Sequence, residues 1–296
     1  MFYVYIKKDT KSFNLDTGDT MFIGCEIPKT INIDMLYTFF KTSFKNDYSF
    51  KGESHNFWEM VFVCEGTVGV TAGSDVYVLE RGQAVIHKPN EFHRIWSEFD
   101  TNPTVIVISF SASHFPEVES RIINVDSQQI NTIDRLHTVA CECFRKTDVF
   151  ISEIKEDCEY DVARFKAQLE LFIIELVKKQ IPENSSGVKS AEIYSAAVKF
   201  MEEHPGAGLC IEDIARECSI SGAYLKKIFM KYSGCGVIQY YNRLRARLAC
   251  GYLINGRSVK EIAIILGFGD QNYFSTFFKR VMGVSPTKYR NDAGRR

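Results

Sequence analysis

The chain has 296 residues, 45% of them hydrophobic and 25% charged, with a formal net charge of −1. That length suits two domains, and the composition excludes disordered and collagen-like classes. The small total hides a split: residues 1–187 carry 19 Lys+Arg against 28 Asp+Glu, and residues 188–296 carry 17 against 9, so the second half has the charge of a polyanion-binding module.

The opening MFYVYIKKDTKSF reads as a strand followed by charged residues, with no secretory signal. The longest apolar runs, at 105–110 and 169–177, fall short of the roughly 20 residues of a membrane span. A cytoplasmic protein with no membrane partner is expected. Nine cysteines occur without a C-x-x-C pair, which predicts free thiols in a reducing compartment rather than disulfides or zinc.

Residues 1–125 are β-rich: short apolar or alternating runs such as WEMVFVCEGTVGV, DVYVLERGQAVIH and PTVIVISF are separated by turn residues, the pattern of a barrel or jelly roll. From 126 to 182 the period becomes helical, in INTIDRLHTVACECFRK (130–146) and ARFKAQLELFIIELVKKQ (163–180). These helices are expected to pack on the barrel and to pair with a second copy. Residues 183–190, rich in Pro, Asn, Ser and Gly nearby, read as a linker. Residues 191–296 are helical throughout in pattern.

That last segment repeats itself. IEDIARECSISGAYLKKIFMKYSG (211–234) lies on VKEIAIILGFGDQNYFSTFFKRVMG (259–283), with Ile214 over Ile262 and Ala215 over Ala263. Each copy is a helix, a turn and a second helix. Small Ala215 and Ala263 let the helices cross closely, and Ile220 and Phe268 point inward at the turns. This is the pattern of a helix-turn-helix, whose second helix fits a major groove about 12 Å wide. Between the copies, VIQYYNRLRARLACGYLINGR (237–257) reads as a connecting helix; about 18 helical residues span about 27 Å, which with the helix widths suits recognition helices about 34 Å apart.

Residues 193–290 resemble the AraC/XylS family of bacterial transcription regulators. RARLACGYL (245–253) is similar to the family's connecting helix, and SVKEIAIILGFGDQNYFSTFFKRVMGVSPTKYR to its second-repeat signature. Ser285 and Pro286 suit the start of a closing helix. The resemblance implies two units on adjacent major-groove segments, the first presenting Ala223, Lys226 and Lys227, the second Gln271, Asn272, Ser275 and Thr276. The chemistry agrees: Lys suits guanine, Gln and Asn suit adenine, and methyl groups suit thymine. Asp270 fits an N-cap better than a base contact. Arg243, Arg245, Arg247, Lys279 and Arg280 are open between phosphate contacts and internal ion pairs.

GESHNFWEMVFVCEGTVGV and LERGQAVIHKPNEFHRI resemble the two signature hairpins of a cupin-type sensor barrel. Enzymatic cupins hold a metal on His-x-His, a Glu and a later His. His55, Glu59 and His93 match, but Phe57 replaces the second His. Structural or solvent-facing roles for His55 and His93, and core packing for the nearby aromatics, stay open beside ligand contact; the reading taken forward puts His55, Glu59 and His93 in a small-molecule pocket with Trp58, Tyr77 and Trp96 as walls, and no catalytic residue, metal or other cofactor is expected. The expected fold is α+β: a cupin-like β-barrel with flanking helices, then an all-α domain with two helix-turn-helix units. The expected function is ligand-responsive transcription regulation and not catalysis. Its implied partners are duplex DNA, an effector with a sugar as first candidate by analogy, a second copy of the chain, and RNA polymerase. Two alternatives stay open: a metal-dependent cupin enzyme with an appended helical module, and a constitutive DNA-binding protein whose barrel only dimerises.

Overall fold

A computed structural model describes residues 25–118, 121–178 and 189–293. The expected N-terminal strand and most of the linker lie outside these residues; Lys189 and Ser190, its last two, open a helix. The N-terminal half contains β1 (Asn32–Ser43), β2 (Trp58–Glu65), β3 (Thr67–Ala72), β4 (Asp75–Glu80), β5 (Gln83–His87), β6 (His93–Ser97), β7 (Thr104–His114), β8 (Ile122–Asn124), α1 (Ser127–Cys143), β9 (Phe144–Thr147), β10 (Phe150–Ile154) and α2 (Glu159–Lys178). The strands make a large sheet, in the order β8-β5-β2-β7-β1-β10-β9, and a small one, β4-β3-β6. The two sheets do not close on each other, so the expected barrel is a cupin-like jelly roll.

Period-two alternation explains the layering. Val61 and Val63 of β2, with Val85, Val105 and Val107, meet Val68, Val70 and Leu79 of the small sheet. Their neighbours Met60, Phe62, Ile86, Ile106 and Ile108 face the other way, against Ile133 and Leu136 of α1 and Phe165, Leu169 and Phe172 of α2. A sheet buried on both faces requires apolar residues at successive positions, which is why VIVISF shows no alternation.

The segment 126–182 is not wholly helical, which corrects the sequence reading. α1 starts at a capping box formed by Asp126 and Gln129 and ends at Cys143. The aromatic and β-branched runs that follow form the β9–β10 hairpin, turned at Asp148 with φ 59° and joined to β1 at Thr38 and Phe150. An unpaired edge of β1 was available to these residues, and ladder formation there overrides the helical period.

The C-terminal half comprises α3 (Lys189–Glu203), α4 (Ile211–Glu217), α5 (Gly222–Ser233), α6 (Val237–Ile254), α7 (Val259–Ile265), α8 (Gln271–Met282) and α9 (Pro286–Ala293). The internal repeat is visible in the backbone. Ile220 N–H donates to Ala215 C=O at 3.0 Å, and Phe268 N–H to Ala263 C=O at 2.8 Å. Ser219 and Gly267 sit at the same point of each turn, both left-handed, with φ of 54° and 69°. Buried Ile214 and Ala215, like Ile262 and Ala263, form the crossing point of each helix pair. Asp270 caps α8 by accepting from the backbone of Asn272 and Tyr273.

The outer face of the small sheet is covered by the helical half. Val76, Phe92 and Trp96 share one apolar cluster with Tyr194 of α3, Ile228 and Tyr232 of α5, and Tyr240 of α6. Gly69 makes this close packing possible, because a Cβ there would lie 2.1 Å from the Trp96 ring that crosses it.

Gly267 has no tolerance for a side chain. Its φ is left-handed, and a Cβ would fall 1.9 Å from the carbonyl oxygen of Gly206, in the loop before α4. Gly267→Ala is expected to destabilise the helical half by about 1–3 kcal/mol, read as a lower thermal midpoint in circular dichroism at 222 nm. An unchanged midpoint would show that this turn relaxes freely.

Candidate functional site

A cavity of about 360 Å³ opens between the two sheets. Its floor is one row across the large sheet. Glu59 on β2 pairs with His87 on β5 and with Ser109 on β7, and Ser109 pairs with Thr38 on β1. The Ser109 hydroxyl donates to Glu59 Oε2 at 2.9 Å and lies 2.7 Å from the Thr38 hydroxyl. His93, from β6 of the facing sheet, closes over this row. His55 arrives on the irregular segment before β2, where the backbone of Glu53 also bridges to His93.

The imidazoles and carboxylates converge. Glu59 Oε1 is 3.5 Å from His93 Nε2, and Glu59 Oε2 is 3.7 Å from His55 Nε2. Glu53 Oε1 lies 3.9 Å from His93 Nε2. Burial opposes ionisation of Glu59, but its interaction with His55 and the charges of His93 and His87 outweigh that and hold its carboxyl at about 2. Burial alone would lower His93, yet Glu53 and Glu59 together raise it. His87 is driven well below its ordinary value by burial and by the neighbouring His93. The site therefore sets an ionised carboxylate against an imidazole whose protonated form the two glutamates favour.

His55, Glu59 and His93 are brought together, as the sequence placed them. The three aromatic walls are corrected. Tyr77 is 2% exposed in the core between the sheets, Trp58 stacks on Phe115, and Trp96 faces the helical half. The cavity is instead walled by Phe40, Phe44, Tyr48, Phe50, Phe57 and Phe150. Sequence reasoning missed Glu53, His87, Ser109 and Thr38. His87 was recoverable, because period two along QAVIH puts it on the same face as inward-pointing Val85. Phe150 was not, since it comes from the hairpin read as helix.

Strand alternation also links the cavity to the helical half. His93 points into the cavity, and the next residue, Arg94, borders the same cavity and carries its guanidinium on to the helical half. The Arg94 guanidinium donates to Phe50 C=O and Ser49 Oγ, each at 2.6 Å, and to the carbonyls of Met230 and Lys231 in the last turn of α5. Those carbonyls have no partner within a helix, and a cation there also meets the negative end of the helix dipole. Thr71 donates to Tyr232 C=O at 2.6 Å, and Ser195 of α3 to Ser74 C=O at 2.6 Å.

The far ends of the helix-turn-helix units remain open. Ala223, Lys226 and Lys227 on α5, and Gln271, Asn272 and Thr276 on α8, are exposed; Ser275 is half-buried, and its hydroxyl donates to Gln271 C=O at 2.8 Å. Two exposed tyrosines on these helices, Tyr224 and Tyr273, were missed. They adjoin the buried residues Leu225 and Phe274, and an inward period gives no signal at its margin. Arg245 is buried over the Phe268 ring and donates to Leu266 C=O, so of the five open cations this one is structural. Arg247 is half-buried beside Glu202 in a groove against β6's approach loop.

The two halves match two family models: an AraC-like ligand-binding domain over residues 43–183 and a helix-turn-helix domain over residues 214–292. The chain belongs to the AraC family of transcription regulators. The lactose operon transcription activator of Staphylococcus xylosus is 23% identical over 294 residues, covering 95% of each chain. The Msm operon regulatory protein of Streptococcus mutans is 30% identical over 125 residues, and the raffinose operon transcriptional regulatory protein of Pediococcus pentosaceus 32% over 108. These last two alignments cover 44% and 39% of those relatives. Among solved structures, ToxT from Vibrio cholerae aligns over 86% of this chain and 98% of its own, at 17% identity and a TM-score of 0.35.

Arg94→Ala removes the charge-assisted bonds that fasten α5 to the small sheet. It should cost about 2 kcal/mol and loosen the cover over Trp96. The expected readout is stronger acrylamide quenching of tryptophan fluorescence, with a lower thermal midpoint. Unchanged quenching and midpoint together would mean that apolar packing alone holds this contact.

Proposed function

We propose that the chain is a ligand-responsive, sequence-specific regulator whose cavity binds a small molecule and whose α5 and α8 read DNA. The single observation that carries this reading is the divided use of β6, with His93 in the cavity and Arg94 on the last turn of α5. A molecule that shifts β6 changes the geometry of the bonds that hold the first helix-turn-helix unit. Hydrogen bonds weaken steeply with misalignment, so a small displacement suffices. The effector acts by favouring one arrangement of the two halves over the other.

The cavity suits a sugar. Aromatic rings offer faces to the apolar side of a pyranose, while Glu59, His55, His93 and Ser109 offer partners to its hydroxyls. The raffinose and lactose operons named for two relatives support the same class. The cavity works as a sensor rather than an active site. A second copy of the chain docks across α1 and α2, where Leu171 is 57% exposed beside Arg135 and Arg164, and the complex acts with RNA polymerase in the cytoplasm. No described helix is long and apolar enough to cross a membrane.

Phosphate contacts release counterions, so affinity for an operator duplex should fall steeply and linearly with log salt; a flat response sinks the DNA-binding reading. Gln271→Ala should cost about 1–3 kcal/mol at one operator position and leave the others unchanged. Equal losses across all operator variants would remove α8 from base readout. A thermal-shift screen of mono- and disaccharides should yield a ligand whose stabilisation grows with its concentration, and Ser109→Ala should weaken it. Stabilisation by no sugar, with DNA binding intact, would leave regulation but discard the carbohydrate.

A further inference from the structure

A second groove, of about 500 Å³, lies outside the inter-sheet cavity, where the sensor half meets α6. One wall is the segment Lys88–Phe92 between β5 and β6. The other is a face of α6 on which Leu244, Arg247, Leu248, Gly251 and Asn255 fall three and four residues apart. Two features separate this groove from an ordinary crevice between packed halves. First, it holds cations that no acid neutralises. Half-buried Arg247 and Lys88, from opposite walls, have no ion-pair partner among the described residues, and the loop's own acid, Glu91, is taken by Arg121. A guanidinium partly withdrawn from water without a counter-charge leaves its desolvation uncompensated. Secondly, Gly251 sits inside α6, where glycine weakens a helix relative to alanine, and neither backbone nor packing calls for it. Its φ is not left-handed, and a Cβ there would meet no neighbouring group within 4 Å. What the missing side chain leaves is room in the groove.

We propose that this groove is a second effector site, which takes a small phosphate monoester carrying hydroxyl groups. A phosphate monoester bears about 1.5–2 negative charges at neutral pH, which matches Lys88 and Arg247 together, where a carboxylate would match only one of them. The planar fork of Arg247 suits two phosphate oxygens at once, and Lys88 adds a point charge. The other polar groups select what the rest of the ligand carries. Glu202 of α3, also without an ion-pair partner among the described residues, accepts from hydroxyls and repels a bare phosphate. The amides of Asn90 and Asn255 both donate and accept. The segment Lys88–Phe92 runs from His87, on the cavity floor, to His93, which closes over it, and Asn90 N–H donates to His55 C=O at 2.6 Å. A ligand held between Lys88 and Arg247 therefore ties the backbone around the cavity to the helix that joins the two helix-turn-helix units. Its regulatory meaning rests on the regulator reading; its existence does not, since none of these side chains lines the inter-sheet cavity or lies on α5 or α8.

The test uses the full chain in phosphate-free buffer, without DNA, and calorimetric titration with glucose 6-phosphate, glycerol 3-phosphate and inorganic phosphate. The expected result is saturable binding of one equivalent of at least one ester per chain, with inorganic phosphate weaker by about tenfold or more. Lys88→Gln and Arg247→Met should each weaken the ester by about tenfold or more. Gly251→Leu should abolish binding by filling the groove, while the thermal midpoint of the unliganded variant stays the same or rises, so that the loss is not one of folding. Arg145→Ala, which breaks an exposed ion pair with Glu153 on the β9–β10 hairpin, should leave binding unchanged. Saturable binding of neither ester, ester binding that survives Gly251→Leu, or inorganic phosphate bound as tightly as the esters would each overturn the proposal. Because the readout involves no DNA, its failure is distinct from a failure of the regulator reading.

Discussion

The small sheet has no face left for water. A three-stranded sheet whose one side closes a ligand cavity and whose other side supports a helix bundle must send successive side chains into two different interiors. On β3, Val68 and Val70 serve the inter-sheet core while Thr71 bonds Tyr232. On β6, His93 and Ile95 line the cavity, Trp96 serves the helical half, and Arg94 borders the cavity while its guanidinium bonds α5. Nothing on these strands can move toward one interior without changing what is offered to the other. That constraint, more than any single contact, makes the sensor and the reader parts of one device.

Much of this was legible in the sequence because it rests on local rules. The duplicated helix pairs, their small crossing residues and the cap at Asp270 follow from spacing and side-chain chemistry alone. The charge split pointed correctly to the half with exposed Lys226, Lys227, Lys279 and Arg280. The convergence of His55, Glu59 and His93 was legible through a family pattern. What stayed hidden depends on pairing between distant segments. The β9–β10 hairpin exists because β1 offers it an edge, and no window around Phe144 contains that fact. Tyr77 and Trp96 were misread because an inward aromatic on a strand does not announce which of two interiors it enters. Arg245 carries the same lesson for charge: its place over Phe268 is set by the second repeat folding back onto α6.

The two repeats share one turn but fill its left-handed position differently. Ser219 occupies it in the first copy at a strain cost, and Gly267 occupies it in the second. The difference follows from what lies nearby. Gly267 abuts the backbone of Gly206, with no room for a Cβ, so the second turn is also a docking point for the loop between α3 and α4. Tyr241 of α6 reinforces that loop by donating to His204 C=O at 2.7 Å. The second unit is thereby tied to the first through backbone contact as well as through α6, and the pair resists rotation that a lone connecting helix would permit.

The strength of the contact between the halves bounds what a sensor of this kind can do. A few charge-assisted bonds from Arg94, worth about 2 kcal/mol together, correspond to a population ratio of roughly thirtyfold. An interface much stronger would lock the helical half onto the small sheet, since a ligand shifts an equilibrium only by its difference in affinity for the two states. One much weaker would leave the states equally populated, with little for a ligand to change. The apolar part of the contact, Trp96 and Phe92 against Tyr232 and Tyr240, sets the baseline. It tolerates small shifts, because packing is not directional. The guanidinium bonds do not tolerate them. The directional bonds across this contact also include Thr71 to Tyr232 and Ser195 to Ser74, but those of Arg94 alone begin one residue from the histidine that closes over the cavity floor.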